Sequence, residues 1–279
     1  MIRLSAIAAV ACSLSLAVLN TPKAQEKAQE KAQEKAQEQT QAEGCPRLIS
    51  STQPRVLPAA VSVDELALTF VGHATFLMET PAGLTVATDY NDYVKPSIVP
   101  NVVTMNRAHS THYTNHPDAG IKHVLRGWDV GGGAAVHDVT ISDMRIRNVV
   151  TNIRDWQGGT DYAGNSIFVF EASQLCIAHL GHLHHELTDE HLKQLGRIDV
   201  ALVPVDGSYT LSTPQMFKVV QQISPQIVIP MHFFSQSTLR RFLDMAREQY
   251  PVEISQTPSV VLSRQMLPIR TKVLVLPGR

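Results

Sequence analysis

The stretch "CIAHLGHLHH", residues 176–185, ends an apolar run and then places four histidines within ten residues. Residues 175–178 are predicted to form a short buried strand, so the histidines follow a strand end. Functional side chains commonly lie on loops at strand ends, because the sheet holds those loops rigidly. Two interpretations are open at this point: a metal site, or a solvated loop that is rich in one residue type.

The composition of the chain favours a soluble globular domain. It has 279 residues, 44% of them hydrophobic, and a formal net charge of −1, which suits a domain with a substantial core. Its basic residues are scattered and form no stripe that could follow a phosphate backbone, so nucleic acid is not an expected partner.

The beginning of the chain is typical of an exported protein. Arg3 is followed by an apolar stretch over residues 4–19, so residues 1–20 are predicted to be an export signal. This stretch is shorter than the roughly 20 residues that cross a bilayer, and no stable membrane span is expected after its removal. We favour a soluble, periplasmic protein over a lipoprotein attached through Cys12. Residues 21–44 contain four Lys-Ala-Gln-Glu repeats and are predicted to be a linker.

Residues 45–279 are predicted to form one domain. Hairpin strands come first, at 66–71, 74–79 and 84–88, and strands alternate with helices in the second half. The helices are expected at 188–196, from Thr213 to before Pro225, and from near Ser237 to before Pro251. This order predicts layered α/β sheets with helices outside. A buried free thiol is expected at Cys176, rather than a disulfide with Cys45.

Other histidines also follow predicted strands. His73 lies between the first two strands, His109 and His112 follow the run 102–105, and His232 follows the run 227–231. If three such ends meet, their imidazoles could hold zinc with a position open for water. The pKa of a zinc-bound water falls from about 15.7 to about 7, which is suited to hydrolysis. A single histidine at a strand end is more often a hydrogen-bonded structural residue.

Competing catalytic motifs are absent from the sequence. It has no G-x-S-x-G elbow and no phosphate-binding G-x-x-x-x-G-K-[ST] loop. His185-Glu186 begins like a zincin helix, but Asp189 stands where the second histidine is required.

Three further stretches, together with the first, resemble a known family: "FVGHATFLMETPAGLTVATDY" (70–90), "IDVALVPVDG" (198–207) and "IVIPMHF" (227–233). They resemble the metallo-β-lactamase superfamily, in particular its ascorbate-phosphate-lactonase-like and N-acyl-phosphatidylethanolamine phospholipase D-like branch. The resemblance implies an αββα sandwich, with two packed mixed β-sheets, helices on the outer faces and a metal site at one edge.

The resemblance also implies roles for individual residues. His109 and His112 resemble the first ligand pair and His232 the last ligand, while His182 stands where the family has a metal-bridging aspartate. His179 precedes it on the same loop and is included among the expected metal ligands. His73 is expected to orient the site, and Asp206 is either a general base or a turn residue before Gly207.

The sequence departs from the family pattern at two carboxylates. Asn115 stands in place of one aspartate and His182 in place of another. An imidazole site with one zinc ion is therefore favoured over two ions with unusual ligands. Manganese is the alternative metal. The leading hypothesis is an exported metal-dependent hydrolase of small-molecule esters, lactones, amides or phosphodiesters. The alternatives are a periplasmic protein that binds metal without catalysis, and a structural domain whose histidines never meet.

Overall fold

The computed structural model describes residues 61–278. In chain order its strands are β1 (Glu65–Gly72), β2 (Thr75–Glu79), β3 (Thr85–Ala87), β4 (Val102–Met105), β5 (His123–Arg126), β6 (Asp138–Ile141), β7 (Met144–Arg154), β8 (Thr160–Ala172), β9 (Leu175–His179), β10 (Val200–Pro204), β11 (Ile227–Met231), β12 (Val252–Ile254), β13 (Ser259–Ser263) and β14 (Lys272–Val275). The helices of this range are α1 (Asp189–Leu195), α2 (Thr213–Ile223), α3 (Gln236–Arg247) and a short 3₁₀ turn at Arg264–Met266. The predicted export signal, the linker and Cys45 lie outside the described residues.

The strands form two mixed sheets that pack face to face. The first has the order β13-β1-β2-β3-β4-β5, and the second has the order β12-β14-β11-β10-β9-β8-β7-β6. Leu68, Phe70 and Phe76 of the first sheet share one buried apolar cluster with Phe168 and Ile229 of the second. The core therefore lies between the sheets, where each sheet buries one face of its alternating side chains.

The parallel strands β9, β10 and β11 are neighbours in the second sheet. All five residues of β10 are buried, as expected for a central parallel strand that is covered on both faces. Because parallel strands end at the same edge, the loops after β9, β10 and β11 emerge side by side. This edge carries the candidate site.

The helices cover the outer face of the second sheet. Phe217 of α2 and Phe242 of α3 stack with their ring centroids 4.9 Å apart, in the cluster that also contains Val203 and Val228. Helix α3 buries one stripe, at Leu239, Phe242, Leu243 and Ala246. These positions lie three and four residues apart, which is the spacing of one helical face.

The ends of the helices follow the sequence signals. The Thr188 side chain caps α1 by accepting from the backbone of His191, and the Ser235 side chain caps α3 by accepting from Thr238. Pro214 lies in the first turn of α2, where its missing N–H costs nothing.

Loops cover the outer face of the first sheet. Its cluster of Tyr90, Val103 and Met105 packs against Tyr113 and Trp128, which lie outside the strands and helices. The predicted α/β sandwich of two packed mixed sheets is confirmed, and the helices within residues 61–278 lie on one of its two outer faces.

The expectation for Cys176 has an outcome in the structure. Cys176 is fully buried in β9 but is disulfide-bonded, so the expectation of a free thiol is wrong. Among the described residues, no helix combines the length and the apolar character that a membrane crossing requires.

Candidate metal centre

Six loops converge at the edge where the two sheets meet, and the loop after β10 contributes Asp206. In the first sheet, Asp89 follows β3 and His112 follows β4; in the second, His182 follows β9 and His232 follows β11. The backbone N–H of His232 donates to the carbonyl of His73 in the β1–β2 turn, at 2.7 Å. This bond ties the two sheets together directly at the site.

Four imidazoles form a compact group at this edge. Each of His73, His109, His112 and His232 offers a ring nitrogen that lies within 4.8 Å of the others. His112 and His232 are fully buried, while His73 and His109 are partly exposed. The group is therefore open to solvent on the side of His73 and His109.

Two of these rings are oriented by buried carboxylates. His112 Nδ1 lies 2.5 Å from Asp89 Oδ2, and His232 Nδ1 lies 3.1 Å from Asp206 Oδ1. A carboxylate accepts the Nδ1 proton of a neutral imidazole and leaves Nε2 as a bare lone pair. The two Nε2 atoms nevertheless lie only 3.0 Å apart. Two lone pairs at this distance repel each other unless a proton or a metal cation is shared between them.

Asp206 is held as an acceptor by its own loop. One oxygen accepts from the backbone of Ser208, Tyr209 and Thr210, and the other accepts from the Thr210 hydroxyl and from His232. Burial would raise the pKa of Asp206, but the hydrogen bonds from His232 and Thr210 lower it below its usual range. Its contacts are those of a residue that orients His232, with both oxygens engaged.

Thr111 links the other two rings of the group. Its hydroxyl lies 2.9 Å from His73 Nε2 and 2.8 Å from His109 Nδ1. A hydroxyl can donate to one of these nitrogens and accept from the other. The second nitrogen of each ring is left available for a ligand.

His182 lies beside the group with nothing bound to its ring. The centroid of the ring is 5.0 Å from those of His109 and His232 and 5.1 Å from that of His112. Both ring nitrogens are buried and have no hydrogen-bond partner among the described residues. A buried, unpaired nitrogen is costly and usually indicates a ligand or an ordered water.

His179, three residues earlier, is fully satisfied by the backbone. Its Nε2 lies 2.8 Å from the Ala74 carbonyl, and its Nδ1 accepts from the Gly181 N–H at 3.2 Å. The ring is buried against Phe76, with the centroids 6.3 Å apart. Neither nitrogen is therefore available to bind an ion.

Burial keeps these imidazoles neutral. Burial, together with the nearby His232, lowers the pKa of His73 and His182 to about 3 and that of His109 to about 4. Burial likewise lowers the pKa of His112 well below its usual value. Burial also raises the pKa of Asp89, which the Asn106 amide opposes by donating to Oδ1. Neutral imidazole is the form that binds metals.

The backbone is strained where the site is assembled. His73, Asp89 and His232 have φ values of 52°, 42° and 55°, in the left-handed region that non-glycine residues seldom adopt. Such strain persists only where surrounding contacts impose it, and it is concentrated at functional sites. Gly181 also has positive φ, and a Cβ there would lie 2.3 Å from Asn165 Oδ1. Glycine is therefore required for the close approach of the His182 loop.

Three further histidines, His116, His184 and His185, lie near the group in sequence but outside it in the structure. His116 is exposed. His184 Nδ1 lies 3.0 Å from the Asn152 carbonyl, and His185 Nε2 accepts from the Asn152 N–H at 3.2 Å. Each of these two rings thus has a structural contact with strand β7.

Three residues that support the imidazole group were not predicted from the sequence. Asp89 and Thr111 orient the imidazoles, and Asn106 joins Asp89 Oδ1 to the Ser166 backbone. A weak signal exists for Asp89 and Asn106, because each is a polar residue at the end of a short apolar strand. Thr111 has no such signal, because its role in linking the two rings depends on where His73 lies in the folded chain.

Comparison with known proteins agrees with this geometry. The model of the Beta-lactamase superfamily domain matches residues 67–232, from β1 to the last histidine of the group. The chain belongs to the metallo-β-lactamase superfamily. The membership predicted from the sequence is therefore confirmed.

Proteins similar to this chain include two that are described as hydrolases. A UPF0173 protein of Pyrococcus furiosus is 24% identical over 73% of this chain and 97% of its own length. A UPF0173 metal-dependent hydrolase of Methanosarcina mazei is 20% identical over 71% of this chain and 96% of its own length. A crystal structure from Thermotoga maritima, described as a candidate Zn-dependent hydrolase of the superfamily, has a TM-score of 0.57 and 26% identity. It covers 77% of this chain and 100% of that chain.

Proposed function

We propose that this metal-dependent hydrolase of the metallo-β-lactamase superfamily holds one zinc ion on three imidazoles, His112 and His232 together with one drawn from His73, His109 and His182, and leaves a position open for water. The observation that carries the proposal is the 3.0 Å separation of the His112 and His232 Nε2 atoms, each in a ring whose other nitrogen is paired with a carboxylate. Such a pair of lone pairs is stable when both bind one cation.

The donor set fits zinc better than manganese. All the donors are imidazole nitrogens, which suit zinc, whereas manganese favours carboxylate and carbonyl oxygens. The orphaned nitrogens of His182 gain a partner if an ion binds beside them. Asp89 and Asp206 are engaged behind His112 and His232, so neither is available to bridge two ions. One ion is therefore favoured over two.

An ion bound here would lower the pKa of a water molecule and polarise the bond that the water attacks. The chain's own residues supply orientation: Asp89 and Asp206 fix two rings, and Thr111 ties His73 to His109. Because His73 and His109 are partly exposed, a small substrate can reach the group from that side. We propose an ester, lactone, amide or phosphodiester substrate and, from residues 1–20, an exported protein.

One observation favours a second function. Both oxygens of Asp206 already accept hydrogen bonds, so the predicted general base is occupied. A site with bound metal and no base is suited to binding or storing metal in the periplasm without catalysis.

Metal content and turnover distinguish the two functions. The protein, purified without a tag, is analysed for bound metals, stripped with a chelator, and reloaded with zinc or manganese. Each form is then assayed on panels of esters, lactones, amides and phosphodiesters. The hydrolase proposal expects about one zinc per chain and turnover that is lost on stripping and restored by zinc. Bound metal without turnover on any panel would favour the binding role, and protein without metal affinity would overturn both.

A further inference from the structure

A cleft of about 710 Å³ begins at the metal centre and runs along helix α3. His73 and Gly72 of the β1–β2 turn line one part of it, and Ile254, at the end of β12, lines another. The volume lies within the range of about 300–1,000 Å³ that is typical of small-molecule sites. Since His73 belongs to both the imidazole group and the cleft wall, the cleft adjoins the candidate metal centre.

The walls of the cleft are mainly apolar. Phe70, Leu239 and Leu243 line it, and each of these side chains is at most 6% exposed. Ile254 stands at the rim with 56% of its surface exposed. An exposed isoleucine beside a concave apolar surface is typical of a site that buries an apolar ligand.

The polar residues of the rim carry one uncompensated positive charge. Arg247 pairs with Asp244 at 2.9 Å, so these two side chains neutralise each other. Arg240, which also lines the cleft, has no ion pair among residues 61–278. The rim therefore favours an anionic group next to the apolar walls.

We propose that this cleft binds the alkyl chain of an amphipathic, anionic small molecule, with its anionic group beside Arg240. The identification of this molecule as the substrate rests on the proposed function, because the bond to be hydrolysed would lie at the imidazole group. Binding of the chain in the cleft does not depend on the metal. The class of ligand is therefore a medium-length acyl compound with a carboxylate or similar anion.

Calorimetric titration with dodecanoate, below its micelle concentration, tests the cleft in metal-stripped and zinc-loaded full-length protein. Metal-stripped protein is expected to bind one dodecanoate per chain, and to bind butanoate and dodecyltrimethylammonium more weakly. Butanoate lacks the chain and dodecyltrimethylammonium lacks the negative charge. Absence of dodecanoate binding, or equal binding of the cationic and anionic chains, would overturn the proposal.

Two pairs of variants locate the binding. Ile254→Glu places a carboxylate at the apolar rim and is expected to weaken dodecanoate binding more than about tenfold, a change of about 1.4 kcal/mol. Val261→Glu is its control, because Val261 is an exposed apolar strand residue outside the cleft. Arg240→Ala is expected to weaken binding about two- to fivefold, as for an exposed ion pair. Arg241→Ala, one position along α3 and outside the cleft, is expected to have no effect.

These experiments test ligand binding in the cleft independently of the proposed hydrolysis. Dodecanoate binding without turnover would leave the cleft in place and refute the hydrolase mechanism. Turnover of short esters by protein that does not bind dodecanoate would refute the cleft alone. Equal affinities of the two glutamate variants would also refute it, as would dimerisation that Ile254→Glu abolishes, because a second copy would then be the occupant.

Discussion

The loop after β9 contains histidines in two very different environments. His182 lies beside three other imidazole rings with both of its nitrogens buried and unpaired. His184 and His185, only two and three residues later, bond to the backbone of Asn152. His179, at the start of the loop, is as buried as His182 yet has two backbone partners. What distinguishes a candidate ligand here is thus an unused nitrogen, rather than residue type or burial.

The largest expected effect comes from removing a ring of the imidazole group. His232→Ala deletes one of the two opposed Nε2 atoms and leaves Asp206 without its imidazole partner. We expect zinc affinity to fall more than about 100-fold, beyond the 10–100-fold typical of residues that only orient ligands. Metal analysis after dialysis against a buffered zinc solution measures this change.

His184→Ala is the matched control for that variant, since it removes a nearby imidazole from the same chain. Its zinc content is expected to equal that of the unmodified protein. An equal loss of zinc in the two variants would contradict the distinction between the two environments.

The second-largest effect is expected when a carboxylate that orients an imidazole is replaced by an amide. Asp206→Asn keeps an acceptor oxygen but replaces the other oxygen with a donor, which faces the donors of Ser208, Tyr209 and Thr210. We expect zinc affinity to fall about 10–100-fold, as measured by competition with a chelator of known affinity. Asp189→Asn, an exposed site in α1, should leave the affinity unchanged. An unaltered affinity in Asp206→Asn would mean that His232 needs no orienting partner.

A third experiment compares His179 and His182 directly, in metal-free protein. Both alanine variants create a similar cavity, but His179→Ala also leaves the Ala74 carbonyl without its partner. We therefore expect His179→Ala to lower the free energy of unfolding by about 1–3 kcal/mol more than His182→Ala does. Urea unfolding of the two stripped variants gives this difference. Zinc should then stabilise His179→Ala more than His182→Ala, and the reverse order would assign the ligand role to His179.

The smallest effect is expected at Thr111. Thr111→Val removes the hydroxyl between His73 and His109 at nearly constant volume. The loss of about 1 kcal/mol of hydrogen bonding should weaken zinc binding about fivefold, again measured by chelator competition. Thr69→Val removes a hydroxyl contact to Ser259 far from the group and serves as the control. A drop of equal size in both variants would argue against a specific role for Thr111.

The sequence predicted strands β9 and β11 at the centre of the second sheet. The runs that became β9, β10 and β11 are short, apolar and bounded by polar residues, and the helices after them carry clear caps and prolines. Strand β7 was missed because arginine and asparagine alternate with its apolar residues. Its arginines pair with Glu171 on the neighbouring strand β8, and that partner is known only once the strands are paired.

The candidate site was predicted in part. His109, His112, His182 and His232 do come together, because each follows a strand that ends at the same edge. The resemblance implies an orienting role for His73, yet its ring lies within the group itself. The position of His179, three residues before His182 in the chain, predicts it to be a ligand. Sequence spacing cannot reveal that the Ala74 carbonyl, more than a hundred residues earlier, occupies one of its nitrogens.

The sequence by itself determined the period of the strands and helices that it predicts, the superfamily and the loops on which imidazoles lie, because these follow from local patterning. Only the tertiary structure decided which nitrogens are free, since each depends on an acceptor or donor from a distant element. Asp89 behind His112 and Asp206 behind His232 are such partners. They leave the two Nε2 atoms facing each other, and this opposition arises only when the edges of both sheets meet.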